Sequence, residues 1–111
     1  MKIPKEAEQK ILQLQLLEQN IQALSMQRQN FQAQLLETDN ALEEIKNSKD
    51  KVYKVIGGIM ILSKKEDLEK DLKSKKEILE LRVKNLESQE KKVREKAESI
   101  QKEVLKQLKN E

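Results

Sequence analysis

Counting alternately three and four residues forward from Ala7 reaches Lys10, Leu14, Leu17, Ile21, Leu24, Arg28, Phe31, Leu35, Thr38, Leu42 and Ile45. Nine of these twelve positions are apolar. The same count from Leu72 reaches Lys76, Leu79, Val83, Leu86, Glu90, Val93, Ala97, Ile100, Val104 and Gln107, with eight of eleven apolar. An average spacing of 3.5 residues keeps one narrow stripe of a helix against a partner helix, which is the seam of a coiled coil. Each half therefore predicts one long helix, about 4–47 and about 64–110, within a single domain of 1–111. At ~1.5 Å per residue each would run roughly 60–70 Å.

The ends of these helices carry their own signals. Pro4 suits a first helical turn, where its missing N–H costs nothing. The polar run "NSKDK", residues 47 to 51, marks the end of the first helix. In "SKKE", Ser63 stands three residues before Glu66, the spacing of a capping box that would open the second helix.

The two seams also match each other. If the helices run antiparallel, residues whose numbers total 114 face one another: Leu14 meets Ile100, Ile21 meets Val93, Leu35 meets Leu79, and Leu42 meets Leu72. A slip of one heptad keeps the apolar pattern but leaves one end overhanging. The expected fold is mainly α, a long antiparallel two-helix coiled coil. Two parallel dimeric coiled coils are the competing arrangement.

Composition removes most functional classes. Charged residues make up 39% of the chain and aromatic residues 2%, so a thick globular core cannot be built. The abundance of Lys and Glu leans weakly towards a heat-adapted source. With neither cysteine nor histidine there is no disulfide framework, thiolate nucleophile or common zinc ligand. Gly57–Gly58 lacks the longer loop and following Lys-Ser/Thr of a phosphate cradle, and without His or Cys a catalytic triad would need the rarer Ser–Lys type. No catalytic, cofactor-binding or metal site is expected. No apolar run reaches ~18 residues, so no membrane span is expected, and "MKIPKEAEQK" has no apolar run of the secretory-leader kind. A cytoplasmic location follows as an expectation. Residues 51–111 are net positive. Yet Glu66–Lys70, Glu80–Lys84, Glu87–Lys91, Glu90–Arg94 and Glu98–Lys102 are acid-first pairs four apart, the pattern of a solvated helix face. No aromatic ring is interleaved for base stacking, so nucleic acid is not an expected partner.

Between the helices lies "VYKVIGGIMIL", residues 52 to 62, with one charge in eleven positions. β-Branched, aromatic and aliphatic residues flank a Gly-Gly pair, which accepts the positive φ of a tight two-residue turn. This predicts one short β-hairpin. The alternative, a plain connector, needs only a few polar residues. A lone hairpin is marginal in water, and its two free edges invite further strands. The expected assembly surface is therefore Val52, Tyr53, Val55, Ile56, Gly57, Gly58, Ile59, Met60, Ile61 and Leu62. It would join several copies through a shared β-structure.

With the hairpin in place between its helices, the chain resembles the archaeal prefoldin beta subunits. The specific parts are "VYKVIGGIMI" and "LELRVKNLESQEKKVREK" (79–96), and the resemblance covers essentially the whole chain. A single hairpin is similar to the beta type; alpha-type subunits carry two. Gly58 departs from members that have Asn there, a conservative difference because both residues tolerate a left-handed turn. The resemblance implies a molecular chaperone subunit with no cofactor, in a hexamer of two prefoldin alpha and four beta subunits. The hairpins would build a β-barrel platform. The coiled coils would capture unfolded polypeptides without ATP and pass them to a group II chaperonin.

Capture should then fall at the end far from the hairpin. In "KILQLQLLEQ", Ile11, Leu12 and Leu16 lie off the seam, as do Leu105 and Leu108 in "EVLKQLK". The candidate capture residues at this end are Ile3, Ile11, Leu12, Leu16, Val104, Leu105 and Leu108, Val104 being also a seam position. Seam drift or fraying would absorb them on the alternative reading. Between residues 11 and 34 eight residues are Gln, and only Glu18 and Arg28 are charged. Several weak tips around one cavity would bind multivalently. A structural coiled-coil scaffold without capture activity is the competing function.

Overall fold

The computed structural model describes residues 3–109. The element order is helix, two strands, helix: α1 Lys5–Asn47, β1 Val52–Ile56, β2 Ile59–Ser63 and α2 Lys65–Lys109. Asn110, which the sequence reading included in the second helix, lies outside the described residues. The expected architecture of two long helices joined by one antiparallel hairpin is the one observed.

The burial pattern follows the heptad count position by position. All twelve α1 seam residues are buried or half-buried, and so are all eleven of α2. From residue 73 to 109 every α2 position off the seam is exposed. In α1 only Ile11, Ser25, Gln32, Asp39 and Ala41 add to the seam. A stripe this narrow covers large side chains incompletely, and among the described residues no large side chain is fully enclosed. Two helices share one seam, and the rest of each surface must stay compatible with water.

The chain divides into two compact units. The terminal unit joins the start of α1, up to Arg28, to the part of α2 from Lys84 onward. Its core residues are Ala7, Leu86, Ile100 and Val104. Polar seam positions make bonds across the helix pair, although Gln107 Oε1 is buried without a hydrogen-bond partner. Arg28 Nε donates to Glu90 Oε1 at 2.8 Å, and its Nη2 donates to Ser25 Oγ at 3.3 Å. Lys10 Nζ lies 2.9 Å from Glu103 Oε2, and Gln107 Nε2 donates to Glu6 Oε2 at 3.3 Å.

The hairpin unit runs from Gln29 to Val83. Its core includes Ile45, Val52, Leu79 and Val83. Arg82 stacks over the Phe31 ring, 5.3 Å from its centroid, and Lys76 Nζ pairs with Asp39 Oδ1 at 2.8 Å. Thr38, a polar seam residue, turns its hydroxyl back to the Gln34 carbonyl at 2.8 Å. That local bond lets it be buried without a partner on α2. The cross-helix pairs Phe31–Arg82 and Asp39–Lys76 each total within one of 114, and in the terminal unit Lys10–Glu103 does the same. The antiparallel register is the expected one.

The helix ends differ in part from the sequence signals. The Pro4 carbonyl accepts the Glu8 N–H at 3.0 Å, so Pro4 stands just before the first turn and loses no bond. The Ser63–Glu66 capping box does not form. Ser63 pairs with Val52 at the end of β2, and the first bond of α2 is accepted by Lys64, from the Leu68 N–H at 3.1 Å. The hairpin ladder holds the Ser63 backbone, so its hydroxyl cannot reach the helix start and instead donates to the Ile61 carbonyl. At the end of α1 the Lys65 ammonium donates to the carbonyls of Lys46 and Ser48, at 3.3 and 3.1 Å. A cation thus meets acceptors that the helix leaves unpaired.

Candidate functional site

Two surfaces carry apolar side chains that the helix pair does not bury. The first is the hairpin. Val52 pairs with Ser63 and Ile56 with Ile59, which leaves Gly57 and Gly58 as a two-residue turn. Their φ values of 54° and 80° place both in the left-handed region, as a type I′ turn requires. Strand alternation sorts the remaining side chains. Tyr53, Val55, Met60 and Leu62 lie on one face; Lys54, Ile56, Ile59 and Ile61 share the other with Val52. Every large apolar residue of the hairpin except Val52 is exposed, Val55, Ile59 and Met60 by two-thirds. Lys54 is tied to Asp71 at 3.6 Å. Where the hairpin meets the helices, an open groove is lined by Ile45, Val52, Tyr53, Val55, Leu68 and Leu72.

Each strand pairs on one edge only, the sheet having two strands. The other edges present free N–H and C=O groups next to seven exposed apolar residues. Because these are about half to two-thirds exposed, burying what remains of each is worth roughly 0.7–2 kcal/mol. A surface with free strand edges and dense apolar faces can add strands on either side and exclude water between stacked faces.

The second surface is the free end of the terminal unit. Leu12 and Leu16 are exposed by more than three-fifths and stand one helical turn apart on α1. Leu105 and Leu108 are exposed on α2, and Ile3 is exposed ahead of α1. Ile11 is half-buried. Val104 is 6% exposed and belongs to the packed seam, so it offers no surface here. The seam position outweighs its place near the end, because a seam side chain is covered whatever its distance from the helix terminus. The structure also exposes apolar residues that the sequence reading did not single out: Met26, Leu36, Ile78 and Leu81. The heptad count contained that information, since all four fall off the seam.

Among the described residues no group of three or more acidic side chains is placed to hold a metal ion. No described helix is long and apolar enough to cross a membrane. Lys76 is the one described group whose titration moves clearly. The hydrogen bond and charge of Asp39 raise it above the ordinary lysine value of 10.5, with Glu80 adding to the rise.

Comparison with known proteins agrees with this geometry. The prefoldin subunit family matches residues 8–111. The prefoldin subunit beta of Archaeoglobus fulgidus is 43% identical over 103 residues, covering 90% of this chain and 89% of that one. That of Sulfolobus acidocaldarius is 32% identical over 105 residues, covering 93% and 84%. Among solved structures, the prefoldin beta subunit from Thermococcus strain KS-1 superposes with a TM-score of 0.88 at 33% identity, covering 93% of this chain and 92% of that one. The beta2 subunit from the same strain shares the fold, with a TM-score of 0.73 at 15% identity. Helix, hairpin and helix, matched over nearly their whole length in sequence and in structure, place this chain in the prefoldin family.

Proposed function

We propose that this chain is a chaperone subunit that assembles through its hairpin and holds unfolded polypeptides, without ATP, at the free end of its coiled coil. The observation that carries the reading is that exposed apolar side chains occur on two kinds of element, on free-edged strands in the hairpin unit and on helix ends in the terminal unit. Strand edges with dense apolar faces suit permanent assembly. Small apolar patches on helix ends suit weak, repeated contacts whose strength comes from several copies acting together.

On this reading the hairpins of two prefoldin alpha and four beta subunits form one β-structure in the cytoplasm. Ile3, Leu12, Leu16, Leu105 and Leu108 contact the client, with Ile11 at the margin, and a group II chaperonin receives it. Family membership and the beta-subunit relatives support this assembly. The capture residues rest on exposure and position alone.

The test combines this chain with a prefoldin alpha subunit and follows aggregation of a chemically denatured client by light scattering. Replacing Leu12, Leu105 and Leu108 by Ser should abolish protection while the mass of the assembly stays the same. Full protection by that variant would refute the placement at the helix ends. A structural scaffold would give an assembly whose unsubstituted form protects nothing.

A further inference from the structure

The two helices of the terminal unit present very different outer surfaces. From residue 84 to 103, fifteen α2 positions are exposed and ten of them are charged. From residue 11 to 27, eleven α1 positions are exposed and only Glu18 is charged. The uncharged surface is also patterned. Leu12, Leu16, Gln19, Ala23 and Met26 follow one another at spacings of four, three, four and three, and all five are exposed. This is the seam's own rhythm repeated on the opposite side of α1. Four of the five are apolar, and Met26 is 67% exposed. The residues bordering the stripe are Gln13, Gln15, Asn20, Gln22 and Gln27, all exposed amides.

We propose that this outer stripe of α1, from Leu12 to Met26, is a docking face for an amphipathic helical segment of a non-native polypeptide. The inference rests on the chaperone reading above and extends capture along one helix, well past the end residues. Apolar residues at alternating spacings of three and four match the anchors of a partner helix; an extended strand repeats every second residue. Amide side chains both donate and accept, so the borders can meet acidic or basic flanks without selecting between them. Met adapts its shape to varied partners. A second copy of the chain is a poorer occupant. Three large side chains and one Ala offer far less than the ~800 Å² per partner that a stable interface buries. Brief docking of a client helix needs no such area.

The test uses the chain assembled with a prefoldin alpha subunit, carrying a photo-crosslinking residue at position 26, 105 or 95 in separate preparations. A chemically denatured client is added and the products counted. Position 26 should crosslink at least as well as position 105, while position 95, on the charged outer face of α2, should not. Crosslinking at 105 with none at 26 would overturn the stripe and leave end capture standing. No crosslinking anywhere, with no protection from aggregation, would overturn the chaperone reading itself. Two peptides of one composition then test the helical partner, one with apolar residues at three-four spacing and one scrambled. The patterned peptide should bind about tenfold tighter, and Met26→Glu should remove that advantage with no change in helix content by circular dichroism. Equal binding of the two peptides, or an advantage that survives Met26→Glu, would overturn the proposal.

Discussion

The ion pair inside the seam of the terminal unit offers the sharpest test of how this coiled coil is held. Arg28 Nε and Glu90 Oε1 are 2.8 Å apart, with side chains 22% and 9% exposed. At an effective dielectric of 20 the gross attraction is about 6 kcal/mol, and desolvation of both groups offsets most of it. Removing one partner forfeits the attraction but leaves the desolvation of the other. Glu90→Leu should therefore destabilise the chain by about 2–3 kcal/mol, below the usual range for a buried pair because Arg28 keeps some water and its contact with Ser25. Adding Arg28→Leu should restore stability to the original level or above, since two leucines then continue the apolar stripe. The assay is urea unfolding followed by circular dichroism, at one fixed protein concentration because assembly stabilises the folded state. If Glu90→Leu alone is as stable as the double variant, Arg28 does not depend on Glu90 and the reasoning fails.

Leu79, 3% exposed, should cost about 2–4 kcal/mol when replaced by Ala, whereas Leu81→Ala, at 60% exposure, should stay within about 0.5 kcal/mol; similar losses in urea unfolding would contradict the seam. In the hairpin a Cβ at Gly57 or Gly58 would meet nothing within 4 Å, so only backbone strain opposes substitution. Gly58→Val should therefore destabilise the assembly by at least ~1 kcal/mol, and Gly58→Asn by much less, as read from thermal unfolding. Val104→Ser should lower stability with capture per folded molecule unchanged, and Leu105→Ser should do the reverse, as read by unfolding and light scattering together. The Lys76–Asp39 pair adds a pH dependence. Because the folded-state value of Lys76 is raised, its contribution is complete below 10.5 and disappears as pH climbs through the higher folded value. A side-chain amine titration by NMR should place Lys76 above the other lysines, and Asp39→Asn should remove the difference.

Much of the candidate site was legible in the sequence for a definite reason. Leu12, Leu16, Leu105 and Leu108 are exposed because the three-four count leaves them off the seam, and the count needs no tertiary knowledge. The outer stripe ending at Met26 was equally present in the spacing. A single Met among glutamines carries little weight until its neighbours are known to be uncovered. Val104 shows the opposite case. Nearness to the helix end suggested a capture role, and packing against α1 took precedence.

By itself the sequence determined which face of each helix turns inward, the antiparallel register and the position of the hairpin turn. The inward faces and the turn follow from local periodicity and from Gly-Gly backbone freedom, and the register from requiring that the two seams end level. Only the tertiary structure decided the fate of the polar and end residues. Ser63 became the end of a strand because Val52 lay opposite it, and Lys65 capped α1 because the hairpin returned the chain beside it. Arg28 found Glu90 about one turn beyond the residue that faces it in the register, while Thr38 turned back to its own helix. Long side chains and hydroxyls choose among partners within reach in space, and sequence spacing alone does not rank those partners.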